Sequence, residues 1–240
     1  MHTTAPIPEH ASKIHLIGGE KGGVGKSMVA RLLAQYFIDE QLPFVGFDTD
    51  RSHGALMRFY ADYASPVLID RYEALDQVIE QAAEHAGRRV LVDLAAQTDA
   101  PLIQWMDDSG VLDMSDVAHF ELTYWHVMDS GRDSVTLLSR QLDRFGTRLR
   151  HVIVLNQLHG DDFSLLEQSG ELARARALGA RTMTLKRLHE AAAQKIDAHN
   201  SSFWAAKSNT GDGAVLGLMD RQRLKMWLSH AFSEIASVQP

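Results

Sequence analysis

The chain has 240 residues, 45% of them apolar and 23% charged, enough to bury one sizeable core and too apolar for global disorder. It has no cysteine, which excludes disulfides, thiolate zinc sites and iron–sulfur clusters. A net charge of −7 argues against a uniformly basic nucleic-acid binder and leaves room only for a local basic patch.

Taken in chain order, residues 1–12 are polar, carry two prolines and read as a flexible tail without the form of a signal peptide. One domain is expected over 13–240. Residues 14–17 are a short apolar strand. Behind it runs Gly18-Gly19-Glu20-Lys21-Gly22-Gly23-Val24-Gly25-Lys26-Ser27, a glycine-rich phosphate-binding loop. Backbone N–H groups across Gly22, Gly23, Val24 and Gly25 converge on phosphate oxygens, Lys26 adds positive charge, and the Ser27 hydroxyl can hold Mg²⁺. Met28 completes the nucleotide-contacting set. Val29, Leu32, Leu33, Tyr36 and Phe37 follow at helical spacing, so a helix N-terminus faces the phosphates.

The next strand, 44–47, ends in Asp48-Thr49-Asp50, two carboxylates leaving a strand end beside the phosphates. Further strands are expected at 67–69, 90–92, 120–127, 151–155 and 182–185. Between them Leu75, Val78, Ile79 and Ala82 share a helical face, as do Val135, Leu138, Leu142 and Phe145. The 90–92 strand hands over to Asp93, and the 151–155 strand to Asn156. Leu224, Trp227, Leu228, Ala231, Phe232 and Ile235 mark a final helix, expected to pack on the domain and not to lie on a membrane, since Glu234 interrupts it and its end is neutral. Strands alternating with helices predict an α/β fold, a mostly parallel β-sheet flanked by helices on both faces, of the P-loop NTPase type. Ligands of such a sheet sit beyond the carboxyl ends of its strands.

The run Lys21-Gly22-Gly23-Val24-Gly25-Lys26-Ser27 resembles the deviant Walker A loop of the ParA/MinD family of ATPases. The resemblance implies ATP and Mg²⁺ as cofactors and slow, Mg²⁺-dependent hydrolysis to ADP and phosphate. It also implies an ATP-dependent homodimer in which Lys21 reaches the partner's nucleotide. By the same resemblance Asp50 positions or activates the lytic water, Asp48 supports the magnesium shell, Asp93 contacts the metal through a water, and Asn156 reads adenine. Two segments depart from the family pattern: Arg51-Ser52-His53 stands where partition members continue Pro-Gln, and Leu94-Ala95-Ala96-Gln97 replaces a proline-rich second switch.

The family positions or segregates cargo, so plasmid partition or mobilisation is the implied role, with an adaptor or cargo protein as partner. Non-specific DNA binding is a further expectation, through a basic C-terminal face of Arg174, Arg176, Arg181, Lys186, Arg187, Lys207, Arg221, Arg223 and Lys225. A membrane partner is not expected, and no apolar run approaches spanning length, so the expected location is cytoplasmic. Two other classes stay open on the same fold: a metabolic ATP-dependent ligase of the dethiobiotin or cobyrinic-acid type, and a protein that binds nucleotide without hydrolysing it. The twelve histidines show no ligand spacing and predict no zinc.

Overall fold

The computed structural model describes residues 11–51 and 54–240. Strand β1 (Ser12–Gly18) leads through the glycine-rich loop into α1 (Lys26–Asp39), and β2 (Phe44–Asp48) follows. After α2 (Ala55–Phe59), β3 (Ala64–Pro66) and α3 (Tyr72–Glu84) comes β4 (Arg89–Asp93). Helices α4 (Asp99–Asp108) and α5 (Val111–Ala118) then lead to β5 (Phe120–Met128) and α6 (Arg132–Phe145). The remainder is β6 (Arg150–Asn156), α7 (Ser164–Gln168), α8 (Glu171–Ala177), β7 (Arg181–Leu185), α9 (Glu190–Ala198), α10 (Phe203–Ser208) and α11 (Leu218–Ser237).

The seven strands form one sheet in the order β3-β2-β4-β1-β5-β6-β7, and every pairing is parallel. Because successive side chains point to opposite faces, each central strand feeds two cores. Ile17, Leu91, Trp125 and Val152 meet α1, α10 and α11 on one face, while Ile14, Leu16, Val90 and Val92 meet α3 and α4 on the other. The helical faces read from the sequence are the buried ones: Leu75, Val78, Ile79 and Ala82 in α3, and Leu138, Leu142 and Phe145 in α6. In α11, Leu224, Trp227, Leu228, Ala231 and Ile235 join the core, and Phe232 meets Tyr36 edge-on at 5.4 Å. That helix therefore packs on the sheet. No helix among the described residues is long and apolar enough to cross a membrane.

Two boundaries differ from expectation. Ser12 is not tail but the first residue of β1, buried, with its hydroxyl donating to the His85 carbonyl at 2.8 Å. The rest of the expected tail, residues 1–10, lies outside the described residues. The third strand occupies Ala64–Pro66 and not 67–69. It is an edge strand, so pairing with β2 on one side defines it, and Pro66 has no N–H to lose. Val67 instead donates its N–H to the Asp48 carbonyl and turns its side chain into the core.

Candidate functional site

Register brings the site together. In the sheet Asp93 lies level with Ile17 of β1 on one side and Asp48 of β2 on the other, at the carboxyl ends where β1 gives way to the loop. The first turn of α1 has N–H groups that no helical carbonyl reaches, and they face this edge. Gly25 starts that turn at φ +95°, and a methyl built on it would lie 2.3 Å from Asn156 Nδ2, so only glycine serves there. The result is a cleft of about 280 Å³ bordered by Gly22, Gly23, Gly25, Lys26, Ser27, Met28, Asp50 and Asp93. Val24 is the exception in the loop, its side chain buried in the core.

Lys26 is buried, and its Nζ donates to the Lys21 carbonyl at 3.0 Å, which folds the loop around the ammonium. Burial lowers its pKa, while Asp93, Asp99 and Asp50 oppose the shift. Asp93 is 3% exposed, and burial together with the Asp48 carboxylate pushes its pKa up to about 7 against a hydrogen bond from Ser27 and the charge of Lys26. Its Oδ1 is buried without a hydrogen-bond partner among the described residues. An orphaned carboxylate oxygen beside a serine hydroxyl and a lysine is the donor set that a hydrated Mg²⁺ bound to phosphates completes. The residues fit the ion. Among the described residues no three His, Asp or Glu side chains converge on one point, so phosphate and water oxygens would fill most of its shell.

Asp48 and Asn156 both make hydrogen bonds within the chain. Asp48 Oδ1 accepts from Asp50 N at 3.0 Å, and its Oδ2 accepts from Leu56 N at 2.9 Å and Met57 N at 3.3 Å. The carboxylate thus holds the start of α2 and the turn carrying Asp50. Asn156 is likewise spent inside the chain: Nδ2 donates to the Val24 carbonyl at 2.7 Å, and Oδ1 accepts from Leu158 N at 3.2 Å. It pins the loop to the end of β6. A small neighbouring cavity of about 50 Å³, lined by Met28, Asn156, Leu185, Leu188, Ala193 and Trp227, borders the same loop. Gln97 is exposed at φ +62°, away from the cleft lining. Ser52 and His53 lie outside the described residues.

The sequence reading missed five residues. Asp129, one residue past β5, ion-pairs with Lys21 Nζ at 2.8 Å and accepts from Ser134 Oγ at 2.6 Å and Gly131 N at 3.0 Å. These donors hold its carboxyl below the usual range despite partial burial. A carboxylate ending an apolar strand was the available signal, as at Asp48 and Asp93. Tyr124, Asp99 and Gln141 form a relay: Gly19 N donates to Tyr124 Oη at 3.1 Å, Tyr124 donates to Asp99 Oδ1 at 3.1 Å, and Gln141 Nε2 donates to Asp99 Oδ2 at 3.1 Å. The relay ties the loop to the start of α4. Thr49 Oγ1 does the same between β2 and β4, donating to the Asp93 carbonyl at 3.1 Å and accepting from Ala95 N at 2.7 Å.

Four of the nine basic residues expected to make a DNA face are ion-paired among the described residues. Arg174 binds Asp143 and Glu171, Arg187 binds Glu190, Lys207 binds Asp39, and Arg223 binds Asp220. Arg221 donates to the carbonyls of Asn209 and Leu216.

A phosphate loop at the central strand of an all-parallel sheet, with acidic strand ends beside it, defines a P-loop nucleotide-binding protein. No family model matches the sequence. It is 25% identical over 145 residues to protein MobD of Acidithiobacillus ferrooxidans, spanning 60% of this chain and 63% of MobD. Protein TraL of Escherichia coli is 25% identical over 240 residues, spanning 93% of this chain and 97% of TraL. Among solved structures, a putative plasmid partition protein from Borrelia burgdorferi B31 bound to AMPPNP aligns with a TM-score of 0.51 at 12% identity, covering 91% of this chain and 98% of that one. The chain thus shares its fold with that partition protein and is similar in sequence to MobD and TraL.

Proposed function

We propose that the protein is an ATPase whose nucleotide state switches it between monomer and homodimer, in the service of plasmid partition or mobilisation in the cytoplasm. The observation that carries this reading is the second lysine. Lys21 directly precedes Gly22 of the cleft lining, is one-third exposed, and is held by Asp129 of its own chain through a single exchangeable ion pair. A lysine placed there can leave Asp129 for the phosphates of a partner's nucleotide.

Within one subunit, Lys26 and the first N–H groups of α1 bind the phosphates. Ser27 Oγ and, through water, Asp93 would hold Mg²⁺, which neutralises charge on the transferred phosphoryl group. Asp50 borders the cleft and would orient the attacking water. Asp48 positions Asp50 by accepting its N–H, and Asn156 keeps the loop closed under the phosphates. Hydrolysis then withdraws the contacts that hold Lys21 across the interface, and the subunits part. An adaptor or cargo protein is the expected partner. Sequence-independent DNA binding is the weaker reading of the C-terminal half, because the ion pairs above neutralise much of its basic charge.

Analytical ultracentrifugation of the Asp50→Ala variant, which should bind ATP and stall, tests the switch. A nucleotide-induced dimer that Lys21→Ala abolishes without loss of single-subunit ATP binding is the expected result. A dimer of equal strength with and without ATP would show the model to be wrong for this chain.

A further inference from the structure

Helix α11 spends one face on the core and leaves another unexplained. Leu224, Trp227, Leu228, Ala231 and Ile235 are buried. On the opposite side of its first turns Leu218, Met219 and Met226 are 74%, 59% and 63% exposed. At 100° per residue, Leu218, Met219, Gln222, Lys225 and Met226 fall on one continuous arc, about 12 Å long. Three large apolar side chains in so short a solvent-facing stretch do nothing for the fold, and clusters of this kind mark contact surfaces.

The stripe borders a cleft of about 280 Å³ between the end of α10 and α11, lined by Lys207, Thr210, Leu218, Arg221, Gln222 and Lys225. The cleft is cationic on a chain of net charge −7. Lys225 has no acidic partner among the described residues. Trp204, 53% exposed, stands one helical turn before Lys207 on α10 and extends the apolar rim.

We propose that this stripe and cleft dock an acidic, amphipathic helix of a partner protein. Its apolar face covers Leu218, Met219 and Met226, while its carboxylates enter the cleft toward Arg221 and Lys225. The shape and chemistry favour this occupant. A DNA backbone brings phosphates for the two cations and nothing for the three apolar side chains. A lipid surface is flat and leaves the cleft unfilled. The surface shares no residue with the nucleotide cleft, so it stands or falls apart from the ATPase reading.

The test is a display selection of random helical peptides on the intact protein, followed by fluorescence anisotropy with the recovered peptides. Enriched peptides should be net acidic, with apolar residues at helical spacing, and should bind less tightly as salt rises. Leu218→Ser with Met226→Ser should weaken them about tenfold or more, as expected for losing a buried apolar contact. Arg221→Glu with Lys225→Glu should weaken them comparably, and ATP affinity should stay unchanged in both pairs. If a pair fails to fold, Met219→Ser with Lys225→Ala carries the same expectation. Recovery of no peptide, or of neutral or basic ones, overturns the proposal. So does binding of duplex DNA, or of phosphatidylglycerol–phosphatidylcholine vesicles, that uses these residues in place of a peptide.

Discussion

Replacing Asp93 by asparagine should make the nucleotide-free protein less sensitive to rising pH. Asp93 is buried between Asp48 and the loop, and its pKa is raised from 3.8 to about 7. The unfolded chain releases this proton near 3.8, whereas the folded chain keeps it until about 7. Folding therefore takes up a proton between those values, and the wild-type protein loses stability as pH rises through that window. The full loss is about 4 kcal/mol once pH exceeds 7, at 1.36 kcal/mol for each decade of proton affinity. From pH 5.5 to pH 8 the share is about 2 kcal/mol. Asparagine does not titrate, so any cost of its buried amide N–H is constant with pH, and only the wild-type Asp93 contribution changes. Urea melts followed by the fluorescence of buried Trp105 and Trp125 give both stabilities at the two pH values. Groups remote from Asp93 contribute equally to both proteins and cancel. The variant should gain about 2 kcal/mol on wild type between pH 5.5 and pH 8. Parallel stabilities at the two pH values would refute the assignment of a strained carboxylate awaiting a cation. With ATP present, Mg²⁺ should raise the wild-type midpoint at pH 8 and leave the variant's unmoved.

Lys26→Ala should lose ATP affinity, whereas Asp50→Ala should keep it and lose turnover by two orders of magnitude or more, as removal of a water-positioning group does; equal loss of affinity in a nucleotide titration would remove the catalytic role of Asp50. Gly25→Ala forces a methyl to 2.3 Å from Asn156 Nδ2 at φ +95°, so ATP binding should fall with little change in helix content by circular dichroism. His126 and His151 are buried with pKa values lowered to about 4, mainly by desolvation. Their stabilising effect is complete above about 6.5 and should be lost as pH falls toward 4, at up to roughly 3 kcal/mol for each; His126→Gln with His151→Gln should flatten the acid limb of the denaturation profile.

The sequence by itself determined the local pieces. The strand–loop–helix around Lys26 is legible because glycines, a lysine and a hydroxyl at fixed spacing admit one chemistry. The buried faces of α3 and α11 are legible because apolar residues repeat with the helical period. Carboxylates at 48, 50 and 93 stand at strand ends, where a parallel sheet gathers its ligands. What local pattern cannot carry is which groups come within hydrogen-bonding distance of one another. Strand order alone sets Asp93 level with Asp48, and that neighbour helps lift its proton affinity. Only the tertiary fold brings backbone N–H groups to Asp48 and a loop carbonyl to Asn156, since a buried polar group takes the partners it meets. The edge strand Ala64–Pro66 carries no apolar pattern because it is made by its neighbour β2. The ion pair of Lys21 with Asp129 joins residues 108 apart in sequence, and only the adjacency of β1 and β5 makes it possible.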